Sequence, residues 1–325
     1  MLFVRFLKRN MLLYFRDKAS VFFSFLSTII VLALMITFLG EGNITTTLDA
    51  LGVGVSGEKL HATCLVIIWT IAGIIVVNAV SIAMTLVGTM VRDEESHKMS
   101  AYFVAPVKRS VYVTGYVVAA VLISFLMCVL TFIIGEIYIY SIGGELVTAM
   151  EALQVLLIIL AIIFSSAAFV FLCATFVHSS SAFNGLTTVM GTLIGFLAAI
   201  YVPFGGMPQM LKNVIKFIPA FQGSSAIREV LMTKGIQWFD CADEIKNGYS
   251  EYMGLVIKFG DTNVSVMGKV LYMFVAGLIL LGITLLLSPV HLPNQDQVLL
   301  HPRLRKSAYH SQNFPGQHLP DPVFQ

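Results

Sequence analysis

Six long apolar runs, at residues 19–39, 64–91, 111–134, 153–177, 186–202 and 270–287, hold no Asp, Glu, Lys, Arg or His. A helix needs roughly 20 apolar residues to cross the ~30 Å hydrocarbon core of a bilayer. Lipid offers backbone amides no hydrogen-bond partner, and the runs lack the period-two alternation of a barrel strand, so a helix is the form open to each. The expected fold is an all-α integral membrane protein with six transmembrane helices. Composition agrees, with 57% hydrophobic and 12% charged residues, about half the charge of a soluble domain.

The placement of Lys and Arg gives an orientation. Arg5, Lys8, Arg9, Arg16 and Lys18 precede the first run, and Arg92, Lys98, Lys108 and Arg109 join the second to the third. The following loop, 140–152, has no Lys or Arg, and only Lys59 lies between the first two runs. By the positive-inside tendency the N-terminus, the 92–109 connector and the tail with Arg303, Arg305 and Lys306 are cytoplasmic. The basic residues of the loop 204–268 carry less weight, because long loops cross largely regardless of charge. The first run is too long for a signal-peptide core and no A-x-A-like site follows it, so an uncleaved first span is expected.

Residues 2–15 place Arg5, Lys8 and Arg9 with Arg16 on one helical arc and Phe3, Phe6, Leu7, Met11, Leu13 and Phe15 on the rest. This is the pattern of a helix lying in the membrane interface. The expected organisation is a cytoplasmic amphipathic helix at 1–18, a transmembrane domain at 19–287 and a tail at 288–325. The tail holds six of the ten prolines and no apolar run, the composition of a disordered segment.

Several function classes are disfavoured. Ion-coupled carriers keep ionisable groups at membrane depth, and these runs have none; Asn78 and Ser81 are the deepest polar residues of the second run and suit hydrogen bonds between helices. There is no H-E-x-x-H, carboxylate cluster or nucleophile–base pair in the spans. Cys64, Cys128, Cys173 and Cys241 have neither metal nor disulfide spacing. A net charge of +2 gives no nucleic-acid surface. Gly268-Lys269-Val270 lacks the upstream glycine and the hydroxyl of a phosphate-binding loop, so any ATP that drives this chain binds to another subunit. No catalytic, cofactor or metal residue is expected.

The connector, RDEESHKMSAYFVAPVKR, packs seven charged residues between two uncharged runs. A short helix there presents Asp93, Glu94 and Glu95 outward and Met99, Tyr102 and Phe103 on another face, and Pro106 ends it. Such a helix can seat in a groove of a soluble partner.

Three features in order resemble permease subunits of the ABC-2 family of ATP-binding-cassette exporters. They are the amphipathic segment before the first span, the connector with Glu95, the apolar 102–104, Pro106, Val107 and Arg109, and the stretch after span five. That stretch reads Gly205-Gly206-Met207-Pro208, then Ile218-Pro219, then Arg228. His97 and Lys98 stand where the family commonly has Gly-Thr. The resemblance implies that the connector couples to a separate ATPase, which holds ATP and Mg. It also implies that a second permease copy or related chain completes the path, and that 204–268 forms re-entrant helices on the outer side. Arg228 is expected to pair with Glu229 or another acidic loop residue. Export across a bacterial cell membrane, driven by that ATPase, is the function so implied. The rivals are an ion-coupled carrier or channel, and a membrane scaffold that recruits a soluble partner without transporting anything.

Overall fold

A computed structural model of the chain describes residues 2–19, 21–22, 26, 29–30, 33, 40–51, 59–96, 109–177, 179–260 and 262–287. Most of the first apolar run and the whole of 288–325 therefore lie outside the described residues, and so does the expected disordered tail. The elements are α1 (Leu2–Arg16), α2 (Gly40–Leu51), α3 (Lys59–Glu95), α4 (Arg109–Ser141), α5 (Ala149–Thr175) and α6 (Ser180–Leu197). A 3-10 turn (Phe204–Gly206), α7 (Gln209–Ile215), α8 (Pro219–Gln237), α9 (Asp243–Tyr252), a hairpin of β1 (Lys258–Phe259) and β2 (Thr262–Asn263), and α10 (Val266–Leu287) follow. The hairpin is antiparallel, with Lys258 opposite Asn263.

Among the described residues, four helices are long and apolar enough to cross a membrane: Lys59–Glu95, Gly115–Ser141, Ala149–Thr175 and Val266–Thr284. They match the second, third, fourth and sixth runs. α3 is the central one and packs against α4, α5, α6 and α8. Ile71, Ile75 and Ala79 of α3 share a buried cluster with Phe132 of α4, Ile159 and Ile162 of α5, and Ile227 of α8. Within α3's most apolar window 83% is buried, against 17% for α10; α3 is thus an interior helix, while Leu271, Leu278 and Ile279 of α10 are exposed and suited to lipid. Between α3 and α4, Asn78 Nδ2 donates to Thr131 Oγ1 at 2.8 Å, the interhelical bond that Asn78 suggested.

At 37 residues and 1.5 Å per residue, α3 is roughly 55 Å long, well beyond the ~30 Å hydrocarbon core. Its charged last turn continues the apolar helix without a break.

The fifth run differs from its expected bounds. α6 starts at Ser180 and stops at Leu197, because Ile200 N donates to Gly195 O and Ala199 N to Phe196 O, both at 3.0 Å. This is a Schellman closure with Ala199 in the left-handed region at φ 52°, where a non-glycine residue costs about 1–2 kcal/mol. The loop 204–268 is likewise mostly helical. Pro219 occupies the first turn of α8, where its missing N–H costs nothing.

Candidate coupling site and a buried polar node

Phe6, Asn10 and Tyr14 recur at helical spacing along α1, and all three are buried. Val4, Leu12, Leu13 and Phe15 are exposed, so α1 is amphipathic in a different sense from its basic arc: one polar-interrupted stripe docks on the protein and an apolar edge is left outward. Phe6 sits where Gly115 of α4 has no side chain; a Cβ there would come within 2.5 Å of the Phe6 ring. The Phe6 and Tyr116 rings meet edge to face, 5.2 Å between centroids.

Beside that contact lies a three-residue polar centre. Arg9 Nη2 donates to Asp93 Oδ2 at 2.7 Å, and Tyr116 Oη donates to the same oxygen at 2.7 Å. Arg9 Nη1 also reaches Tyr116 Oη at 3.4 Å. Partial burial acts to lower the Arg9 pKa, but the bonds to Asp93 and Tyr116 outweigh it and hold the guanidinium above its ordinary value. One carboxylate oxygen thus ties α1, α3 and α4 together.

This geometry corrects one expectation. Asp93 is only 5% exposed and faces inward, so it is not part of an outward acidic face with its neighbours. Glu94 and Glu95 are exposed. Glu95 Oε2 accepts from Ser180 N at 3.0 Å, capping the first turn of α6 where the helix dipole favours a carboxylate. Met99, Tyr102, Phe103 and Pro106, with His97 and Lys98, lie outside the described residues. Arg109 is the first residue of α4, and its side chain is likewise not described.

The Gly-Pro stretch organises the other part of α3. Gly205 and Gly206 form the 3-10 turn, and Gly205 is needed for close approach: a Cβ there would stand 2.2 Å from Tyr252 Cδ2 and 2.9 Å from its Cα. Pro208 precedes α7 as its cap residue. Arg228 lies in the buried middle of α8 at 0% exposure. It does not pair with Glu229. Its Nε donates to Trp69 O at 3.2 Å, and its Nη2 donates to Ala198 O and Ala199 O at 3.1 and 3.0 Å. Its guanidinium carbon lies 4.6 Å from the Trp69 ring centroid, and Trp69 Nε1 donates to Met253 O at 3.0 Å. Arg228 therefore caps α6 and fastens it to α3, using the several donors that only a guanidinium offers.

Glu229 is taken instead by Lys269. The fully buried Lys269 Nζ donates to Glu229 Oε2 and Leu255 O at 2.5 Å each, and to Ser225 Oγ at 2.8 Å. The lysine that resembled a failed phosphate loop is the anchor of α10 on α8.

A family model described as ABC-2 family transporter protein matches residues 62–286, which takes in nearly all of α3 through α10, with Asp93 and Tyr116 of the first polar centre and the whole of the Arg228 and Lys269 centre. The chain belongs to the ABC-2 transporter family. It is a membrane-embedded transport permease, with several apolar helices as its substance. No curated protein matches the chain. Arg9, the α1 member of the first polar centre, lies outside the matched stretch; Tyr116, Ser180, Trp69 and Lys269 lie inside it. The residue reading missed the roles of all five. For Asp93 a signal was present: it falls seven residues after the buried Leu86 and three after Met90, on the inward stripe of α3.

Proposed function

We propose that this chain is the membrane permease of an ATP-binding-cassette exporter in a bacterial cell membrane. It spans the bilayer six times with both termini cytoplasmic, pairs with a second permease copy or a related chain, and is driven by a separate ATPase subunit that holds ATP and Mg. Residues 1–18 form the interfacial helix, 19–287 the transmembrane domain, and 288–325 a cytoplasmic tail. Residues 204–268 face the outer side, where α7 and α8 are the re-entrant pair.

The observation that carries this reading is the continuity of α3. One unbroken helix runs from the buried Trp69 to the exposed Glu94 and Glu95, and its last turns are bonded to α1 through Asp93 and to α6 through Glu95. A connector anchored in this way passes a push from a soluble partner to the spans as rigid-body motion. The ATPase contact then falls to Glu94, Glu95, Met99, Tyr102, Phe103, Pro106 and Arg109, with Asp93 as an internal strut. The exposed small and polar face of α6, with Asn184, Gly185, Thr188 and Gly191, supports a permease–permease contact, since small residues let helices approach closely in lipid.

The experiment is co-expression with candidate ATPases encoded nearby, reading copurification and ATP turnover for the native chain and for Glu94→Ala/Glu95→Ala. Loss of assembly, or ATP turnover that no longer responds to the permease, is the expected result. Unchanged assembly together with unchanged turnover would sink the docking role.

A further inference from the structure

Between α7 and the β1–β2 hairpin lies a cavity of about 340 Å³, lined by Gln209, Lys212, Asn213, Lys216, Glu251 and Lys258 among others. Its charge is unbalanced. Glu251, the carboxylate in the wall, is held by Lys258 at 2.5 Å. Lys212 and Lys216 are partly buried and have no carboxylate within ion-pair distance among the described residues. Lys216 is also held in place, its Nζ 5.2 Å from the Phe259 ring centroid and 5.6 Å from that of Phe217. Two ammonium groups gathered without a counter-ion repel each other, and an anion placed between them removes that cost.

The opposite side of the same segment says where that anion comes from. Met210 is 84% exposed, and Val214 and Phe217 are each 54% exposed. They follow one another at four and three residues, a helical stripe, while Gln209, Asn213 and Lys216 form the parallel stripe on the cavity side. In a membrane protein an exposed apolar stripe backed by lysines is the pattern of a helix seated at the interface, apolar edge toward acyl chains and cations at headgroup depth. Tyr272 Oη donates to Phe217 O at 2.6 Å, fixing the segment against α10.

We propose that this cavity binds phosphate, supplied by the headgroup of an anionic phospholipid. The amines of Lys212 and Lys216 neutralise the phosphate oxygens, the amides of Gln209 and Asn213 offer further donors, and Met210, Val214 and Phe217 lie along the acyl chains. Only the leaflet concerned rests on the orientation proposed above; binding itself needs neither that orientation nor the ATPase, so a failure here leaves the permease reading untouched.

The test is native mass spectrometry of the full chain in detergent with phosphatidylglycerol, diacylglycerol or inorganic phosphate added. Phosphatidylglycerol is expected to be retained and diacylglycerol not. Lys212→Gln/Lys216→Gln should lower phosphatidylglycerol retention about thirtyfold, the scale of two lysine–headgroup contacts. Glu251→Gln should raise phosphatidylglycerol retention and leave diacylglycerol retention unchanged, because the cavity loses the one carboxylate among its described lining residues; apolar surface exposed by misfolding would raise both. Displacement of the lipid by inorganic phosphate at equal concentration upholds the phosphate site and assigns a soluble anion as its source. Equal retention of diacylglycerol and phosphatidylglycerol, or equal phosphatidylglycerol retention by the native chain and the double lysine variant, overturns the proposal.

Discussion

Asp93→Asn is the most informative single change, because one oxygen holds three helices. The substitution keeps the shape of the side chain and removes its charge. Two bonds of 2.7 Å, from Arg9 and from Tyr116, lose their ionic acceptor. Hydrogen bonds to charged groups contribute about 1.5–3 kcal/mol each. The Arg9 side chain is 29% exposed against 7% for Asp93, so solvent screens the ion pair in part and its share belongs at the lower end. The expected loss is about 3 kcal/mol, with Tyr116→Phe costing about 1.5 kcal/mol by itself. The assay is denaturant unfolding of the purified chain in micelles for Arg9→Gln, Asp93→Asn and the double variant. Partners in contact should couple by about 1–2 kcal/mol. A double variant whose loss equals the sum of the single losses within about 0.5 kcal/mol, or an Asp93→Asn loss below that size, would refute the idea that α1 is fastened through this carboxylate.

Four further substitutions probe the other polar centre and the glycine turn, each by the shift of its thermal unfolding midpoint. Lys269→Met strands Glu229 and leaves Leu255 O without its lysine partner; breaking such a pair from one side costs about 3–5 kcal/mol, and no shift would mean that Lys269 does not anchor α10. Arg228→Lys keeps the charge but cannot serve Trp69 O, Ala198 O and Ala199 O together, so a loss of about 2 kcal/mol is expected; a neutral result would remove Arg228 as the cap of α6. Gly205→Ala meets Tyr252 at 2.2 Å whereas Gly206→Ala meets nothing closer than 3.4 Å, so the first should cost about 1–3 kcal/mol and the second should be close to neutral. Equal effects would place the requirement in backbone freedom instead of space.

The spans were legible because the rule that makes them is local: a run of about 20 apolar residues needs no knowledge of the rest of the chain. The second, third, fourth and sixth runs are recovered as membrane-capable helices for that reason. The polar centres were not legible, because their partners are far apart in sequence. Arg9 and Asp93 are 84 residues apart, and Lys269 reaches Glu229 across 40. Charge alone reads as solvated, and nothing in Asp93-Glu94-Glu95 marks the first as inward until the phase of α3 is carried down from Leu86. Arg228 illustrates the same limit. An acidic neighbour at the next position suggested a pair, but adjacent residues on a helix point about 100° apart, given 3.6 residues per turn, and the guanidinium turned to carbonyls of other elements.

The two polar centres also define what α3 can do. Trp69 and Asp93 are 24 residues apart, roughly 36 Å along a helix axis, and the helix between them is packed on several sides and bonded at both places. Such a rod does not bend easily, since a packed interior shifts as a unit and resists gradual deformation. Displacement at Glu94 and Glu95 therefore reaches Trp69 as a tilt or a slide of the whole helix. At Trp69 the motion meets Arg228, which is joined in turn to Ala198 and Ala199 at the end of α6, and Met253 after α9. On the permease reading, the end of α6 and the helix α8 then move together with α3, and the Arg228 bonds are the place where a change at one end of the helix becomes a change of shape at the other.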